Sequence, residues 1–102
     1  MGKKIDPAGL PEFDLAEYLS SETAISEYLN QVIAEGDAAE LAHALGVAAK
    51  ARGMTEVAKD SGITREALYK ALRPGASPRF ETVAKVCSAL GVRLVAQPVH
   101  PV

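Results

Sequence analysis

Cys87 is the only cysteine in 102 residues. One thiol excludes both a disulfide framework and a four-thiolate zinc site within the chain, and it fits a reducing compartment. There is no tryptophan, and aromatic residues make up 5% of the chain, too few for a base-stacking platform that tracks single-stranded nucleic acid. No apolar run approaches the roughly 20 residues that span a bilayer, and no signal-length apolar run follows the basic Met1-Gly2-Lys3-Lys4 start. These absences together point to a cytoplasmic protein without a membrane segment. Gly-rich phosphate loops, nucleophile elbows and HExxH are all missing, so catalysis has nothing to stand on and no enzyme is expected. His43 and His100 lie far apart without clustered thiol or carboxylate ligands, so no metal and no cofactor is expected either.

What remains is an ordinary globular composition, 48% hydrophobic and 24% charged, in one domain's length. The formal net charge of −2 conceals a division. Residues 1–47 hold two basic and nine acidic side chains, a formal −7, whereas residues 48–102 hold nine basic and four acidic ones, a formal +5. Such asymmetry suggests a polyanion for the second half and a basic partner for the first, against the plainer reading of uneven solvation.

Along the chain, Gly2, Pro7, Gly9 and Pro11 predict a flexible arm over residues 1–13. Asp14 is the expected cap of a short turn of helix to Leu19, which Ser20-Ser21 breaks. Helical spacing of Ile25, Tyr28, Leu29, Val32 and Ile33 predicts a helix over 22–35, which Gly36 ends. Asp37 caps the next, over 38–51, with an inner stripe of Leu41, Ala42, Leu45, Ala48 and Ala49 whose alanines let a neighbouring helix approach closely. Residues 54–61 form a short helix with Val57 and Ala58 inward; Gly62 turns the chain and Ile63 plugs the core. Thr64 caps a second short helix that buries Leu68, Ala71 and Leu72 and turns Arg65, Glu66, Tyr69, Lys70 and Arg73 outward. A Pro-rich loop leads to a last helix over 79–90, with Phe80, Val83, Ala84, Cys87 and Leu90 inward. On that stripe Cys87 is a small buried hydrophobe rather than a reactive thiol. Weak alternation over 92–97 predicts a short strand, which would need a second chain's copy as its partner, and 99–102 is a loose tail.

Short helix, glycine turn, short helix is the geometry that places a second helix in the major groove of B-DNA. Ala58 supplies the small residue at the crossing, Gly62 the turn four positions on, and Ile63 and Leu68 the buried apolar pair. Residues 54–94, MTEVAKDSGITREALYKALRPGASPRFETVAKVCSALGVRL, resemble the Cro/Xre helix-turn-helix of bacterial repressors. With the preceding FDLAEYLSSETAISEYLNQVIAEGDAAELAHALGVAAKARGM, the chain is similar to HigA-like addiction-module antidote proteins over about 13–98. The resemblance implies an all-α, five-helix lambda-repressor-like domain over 14–98. In that domain, helices at 14–52 form an N-terminal extension, the helix-turn-helix lies at 54–72, and the short C-terminal strand follows. It implies an antitoxin that neutralises a RelE/HigB-like toxin, and a homodimer that represses its own operon.

Carried over residue by residue, the resemblance makes Arg65, Glu66, Tyr69 and Lys70 base-contacting residues. Arg65 and Lys70 donate to guanine and Glu66 accepts from cytosine. Thr55, Lys59, Thr64, Arg73 and Arg79 contact phosphates. Glu66 departs from the usual Gln, Ser or Arg, so it either reads a base donor, pairs with Lys70 four residues on, or is simply solvated. Two other readings stand beside this one: a stand-alone Xre repressor without a toxin, and a protein-sequestering module without DNA binding. The acidic first half complements a toxin that is basic because it binds RNA.

Overall fold

The computed structural model describes residues 11–100, apart from the side chains of residues 12 and 13. Its elements are α1 (Glu12–Tyr18), α2 (Glu22–Glu35), α3 (Ala38–Arg52), α4 (Met54–Ser61), α5 (Arg65–Ala71) and α6 (Phe80–Ala89). Among the described residues the architecture is all-helical, as expected, but with six helices rather than five and no strand.

Helix ends follow local chemistry. Asp37 caps α3 by accepting from the backbone N–H groups of Ala39 at 3.0 Å and Glu40 at 3.5 Å. Ser21 does more than break the chain after α1: it caps α2 through the N–H of Ala24 at 3.1 Å. Gly36 closes α2 at φ 76°, in the left-handed region where glycine has no Cβ penalty. Lys50 and Arg52 lie in the last turn of α3, at the negative end of its dipole.

α3 is the central element. Ala42, Ala44, Leu45, Gly46, Val47, Ala48 and Ala49 are all buried, because α1, α2, α4 and α6 each pack against it. The expected single stripe is therefore too narrow, and Leu41 is only partly buried. The remaining core is built from Leu15, Leu19, Ile25, Leu29, Val57, Leu68, Val83, Val86, Cys87 and Leu90. At about 25 cal/mol per Å² of apolar area, such side chains contribute about 1.5–3 kcal/mol each when fully buried.

Four expectations are corrected. The helix placed from Asp14 starts at Glu12, with Pro11 at the N-cap, since proline presets φ (−57°) and its carbonyl accepts from the Leu15 N–H at 2.9 Å. The arm thus ends before 13, and its residues 1–10 lie outside the described residues, as do 101 and 102 of the tail. Residues 92–97 form no strand, because no second strand is present among the described residues to complete a ladder. Phe80 is 74% exposed rather than inward: it occupies the first turn of α6, where no described element covers it, and Val86 takes the place on the buried stripe. Ile33 is likewise exposed, in the last turn of α2.

Candidate nucleic-acid interface

The α4–α5 pair is joined by residues 62–64. Gly62 takes φ 75° and its N–H reaches the Ala58 carbonyl at 3.0 Å, so the chain reverses without a Cβ clash. Ser61 braces the corner: its hydroxyl donates to the Ala58 carbonyl at 3.2 Å and accepts from the Ile63 N–H at 3.3 Å. Ile63 and Ala58 are partly buried and pack on the core, as expected. Thr64 caps α5, its hydroxyl oxygen accepting from the Ala67 N–H at 3.1 Å. The hydroxyl hydrogen stays available to an outside acceptor.

α5 is held from one side only. Leu68 is its one buried residue, with Leu72 buried at the C-cap. Arg65, Glu66, Tyr69 and Lys70, the expected base readers, are all exposed on this helix, so the fold brings the four together on one element. The Arg65 guanidinium stands 5.6 Å from the Tyr69 ring centroid, a cation–π distance that pre-orients both side chains. Glu66 forms no ion pair with Lys70; the described ion pairs are Arg52–Glu22 at 3.4 Å and Lys85–Glu81 at 3.2 Å. The pairing that the i, i+4 spacing allows is therefore not made, and Glu66 is left to solvent or to a ligand.

The expected phosphate contacts are more dispersed. Thr55 is exposed in the first turn of α4, Lys59 in its last, and Arg79 at the N-cap of α6. Arg73 is exposed just beyond α5. It lines a cleft of about 200 Å³ between α3 and α5, with His43, Gly46, Val47, Lys50, Tyr69, Leu72 and Pro74. Sequence reasoning missed His43 and Lys50 here. Their separation of seven residues does place both on one helical face, but the apolar residues of α3 are the stronger signal. Gly46 lets the cleft close at its base: a Cβ there would stand 3.1 Å from the Leu72 carbonyl oxygen.

Cys87 is buried and free, and burial pushes its thiol up to about 11, far from the thiolate range that nucleophilic or ligand chemistry needs. Among the described residues no group of three or more His, Cys, Asp or Glu is placed to hold a metal ion. No described helix is long and apolar enough to cross a membrane. In the first half of the chain Asp14, Glu17, Glu22, Glu27, Glu35, Asp37 and Glu40 are all exposed. Tyr18 donates to the Glu27 carboxylate at 3.2 Å, and its hydroxyl is raised above its usual range by desolvation first and by Glu27 second.

Residues 9–98 match a family model described as "Probable addiction module antidote protein". An uncharacterized protein of Haemophilus influenzae is 46% identical over 88 residues, covering 86% of this chain and 91% of the relative. No solved structure matches the chain.

Proposed function

We propose that this chain, which belongs to the family of probable addiction module antidote proteins, acts as the antitoxin of a toxin–antitoxin pair. From that premise we propose that it works as a sequence-specific DNA-binding repressor of Cro/Xre, HigA-like type. In this reading it also neutralises a RelE/HigB-like toxin in the cytoplasm. The observation that carries the DNA half is the exposure of Arg65, Glu66, Tyr69 and Lys70 on a helix anchored on one side by Leu68 and, at its C-cap, Leu72. Only a helix tied down on one narrow side leaves enough free surface to enter a groove about 12 Å wide.

Arg65 and Lys70 donate to guanine O6 and N7, while the Tyr69 ring restrains the Arg65 guanidinium through its contact. Glu66, free of Lys70, accepts from a cytosine amino group and repels a wrong base at that position. Thr55, Lys59, Thr64, Arg73 and Arg79 set the register on the phosphates. A homodimer presents two such helices about 34 Å apart to a palindromic operator. The exposed Phe80 beside Val92 and Leu94 is the apolar surface a second copy would cover. The acidic face of α1, α2 and the start of α3 docks the toxin and masks its RNA-binding surface.

The test is a binding titration on duplex DNA from upstream of the protein's own gene, against scrambled duplex, at two salt concentrations. The expected result is preference for its own promoter and a steep loss of affinity with salt. Arg65→Ala with Lys70→Ala should weaken that binding by roughly 1–3 kcal/mol per lost base contact, leaving the far-UV circular dichroism unchanged. Equal affinity for both duplexes would sink the repressor reading and leave a protein-sequestering module. Full repression in cells lacking the toxin gene, with no toxin captured, would leave a stand-alone repressor.

A further inference from the structure

The cleft between α3 and α5 has a chemical character that the recognition helix does not explain. Lys50 and His43 enter it from α3, and Arg73 and Tyr69 from α5 and the residues after it. Among the described residues no acidic side chain lines it. Neither Lys50 nor Arg73 forms an ion pair among the described residues. Two cations without an ion-pair partner beside a half-buried imidazole and a phenol make a concentrated donor set: ammonium, guanidinium, ring N–H and O–H. Bringing like charges together costs free energy unless an anion joins them.

The volume limits what that anion is. About 200 Å³ admits one tetrahedral oxyanion with part of its water shell, so a larger ligand could insert only such a group. The backbone at Gly46 and Leu72 closes the cleft at its base, so the anion is held shallowly, with the remainder of its molecule in solvent. Position identifies the source. Arg65 and Tyr69 stand one turn apart on α5 in ring contact, and Tyr69 also lines the cleft beside Arg73, just beyond the helix end, so the cleft adjoins the base-reading side chains.

We propose that the His43–Lys50–Tyr69–Arg73 cleft is a phosphate-binding notch that seats one phosphodiester of the DNA backbone beside the groove occupied by α5. This rests on the DNA-binding reading and extends it to α3, assigning His43 and Lys50 as contacts. Lys50 and Arg73 neutralise the phosphate, and His43 and Tyr69 donate to its free oxygens. Because two of its four residues are borne by α3, the most buried helix, the notch adds a contact from the centre of the fold to those made by α5.

The experiment measures the salt dependence of binding to the protein's own upstream duplex for the full chain, for Lys50→Gln, and for Lys85→Gln as a control. Lys85 is exposed on α6 and already paired with Glu81. The slope of log affinity against log salt should fall by about 1 for Lys50→Gln and stay unchanged for Lys85→Gln. An unchanged slope for Lys50→Gln, with the wild type binding normally, overturns the notch and leaves the repressor reading intact. A wild type that does not bind the duplex overturns both. A parallel NMR titration of the wild type with inorganic phosphate follows the His43 ring and the Lys50 amide. Saturable shifts there together with a reduced slope support the notch on DNA. Saturable shifts with an unchanged slope would mean that the cleft serves free phosphate instead, which overturns the assignment.

Discussion

α3 and α5 are both helices with alanine and leucine at helical spacing, yet they live in opposite environments. α3 buries seven of its fifteen residues, chiefly beneath α1, α2, α4 and α6, whereas α5 buries Leu68 alone among its seven. The difference teaches where chemistry can be carried. A helix packed by several neighbours can present functional groups only along its uncovered edge, as α3 does with His43 and Lys50. A helix held by one anchor and one cap can present almost everything. Its own backbone contributes little, since an isolated seven-residue helix is far below the length that is stable in water.

The comparison breaks most directly at the anchors. Leu45→Ala in α3 and Leu68→Ala in α5 should each cost about 2–5 kcal/mol in urea unfolding, because both side chains are fully buried despite the exposure of α5 as a whole. A much smaller loss for Leu68→Ala would mean that α5 is not held by its anchor. Gly46→Ala probes the place where the two helices meet. The added methyl meets a backbone carbonyl that cannot swing aside, so overpacking of about 1–3 kcal/mol outweighs the gain in helix propensity of up to about 1 kcal/mol. The expected outcome is a net fall in unfolding free energy of about 1 kcal/mol, with shifted amide resonances at Leu72 and Arg73. Thr64→Ala removes the cap of α5 and should cost about 1 kcal/mol, with faster amide exchange concentrated in residues 65–68. Smallest of all, Glu22→Gln removes the Arg52 pair between α2 and α3. Both partners are open to solvent, so thermal unfolding should move by less than about 1 kcal/mol, and less again in high salt.

Many of these features are legible in the sequence. Asp37, Thr64, Gly36 and Gly62 act where their chemistry predicts, since a cap or a left-handed turn involves residues only two to four positions away. The outward set Arg65, Glu66, Tyr69 and Lys70 is legible for the same reason: one period of one helix separates it from Leu68. Phe80 is not, because apolar spacing says which residues share a face, not whether anything covers that face at the end of a helix. The strand expected over 92–97 fails similarly: alternation is a local property, but a ladder needs a second strand.

Composition and local pattern therefore suffice for the helices, for their ends apart from the start of α1, for the burial of Cys87 and for the division of charge between the halves. Each of these depends on neighbours within a turn or two, or on nothing but a sum. Tertiary packing alone decides that α3 lies at the centre, and that Gly46 admits the Leu72 carbonyl. It also decides that Lys50 and His43 stand beside Arg73 across a cleft. Those relations join residues more than twenty positions apart, and side-chain spacing along one helix carries no information about which other helix will close over it.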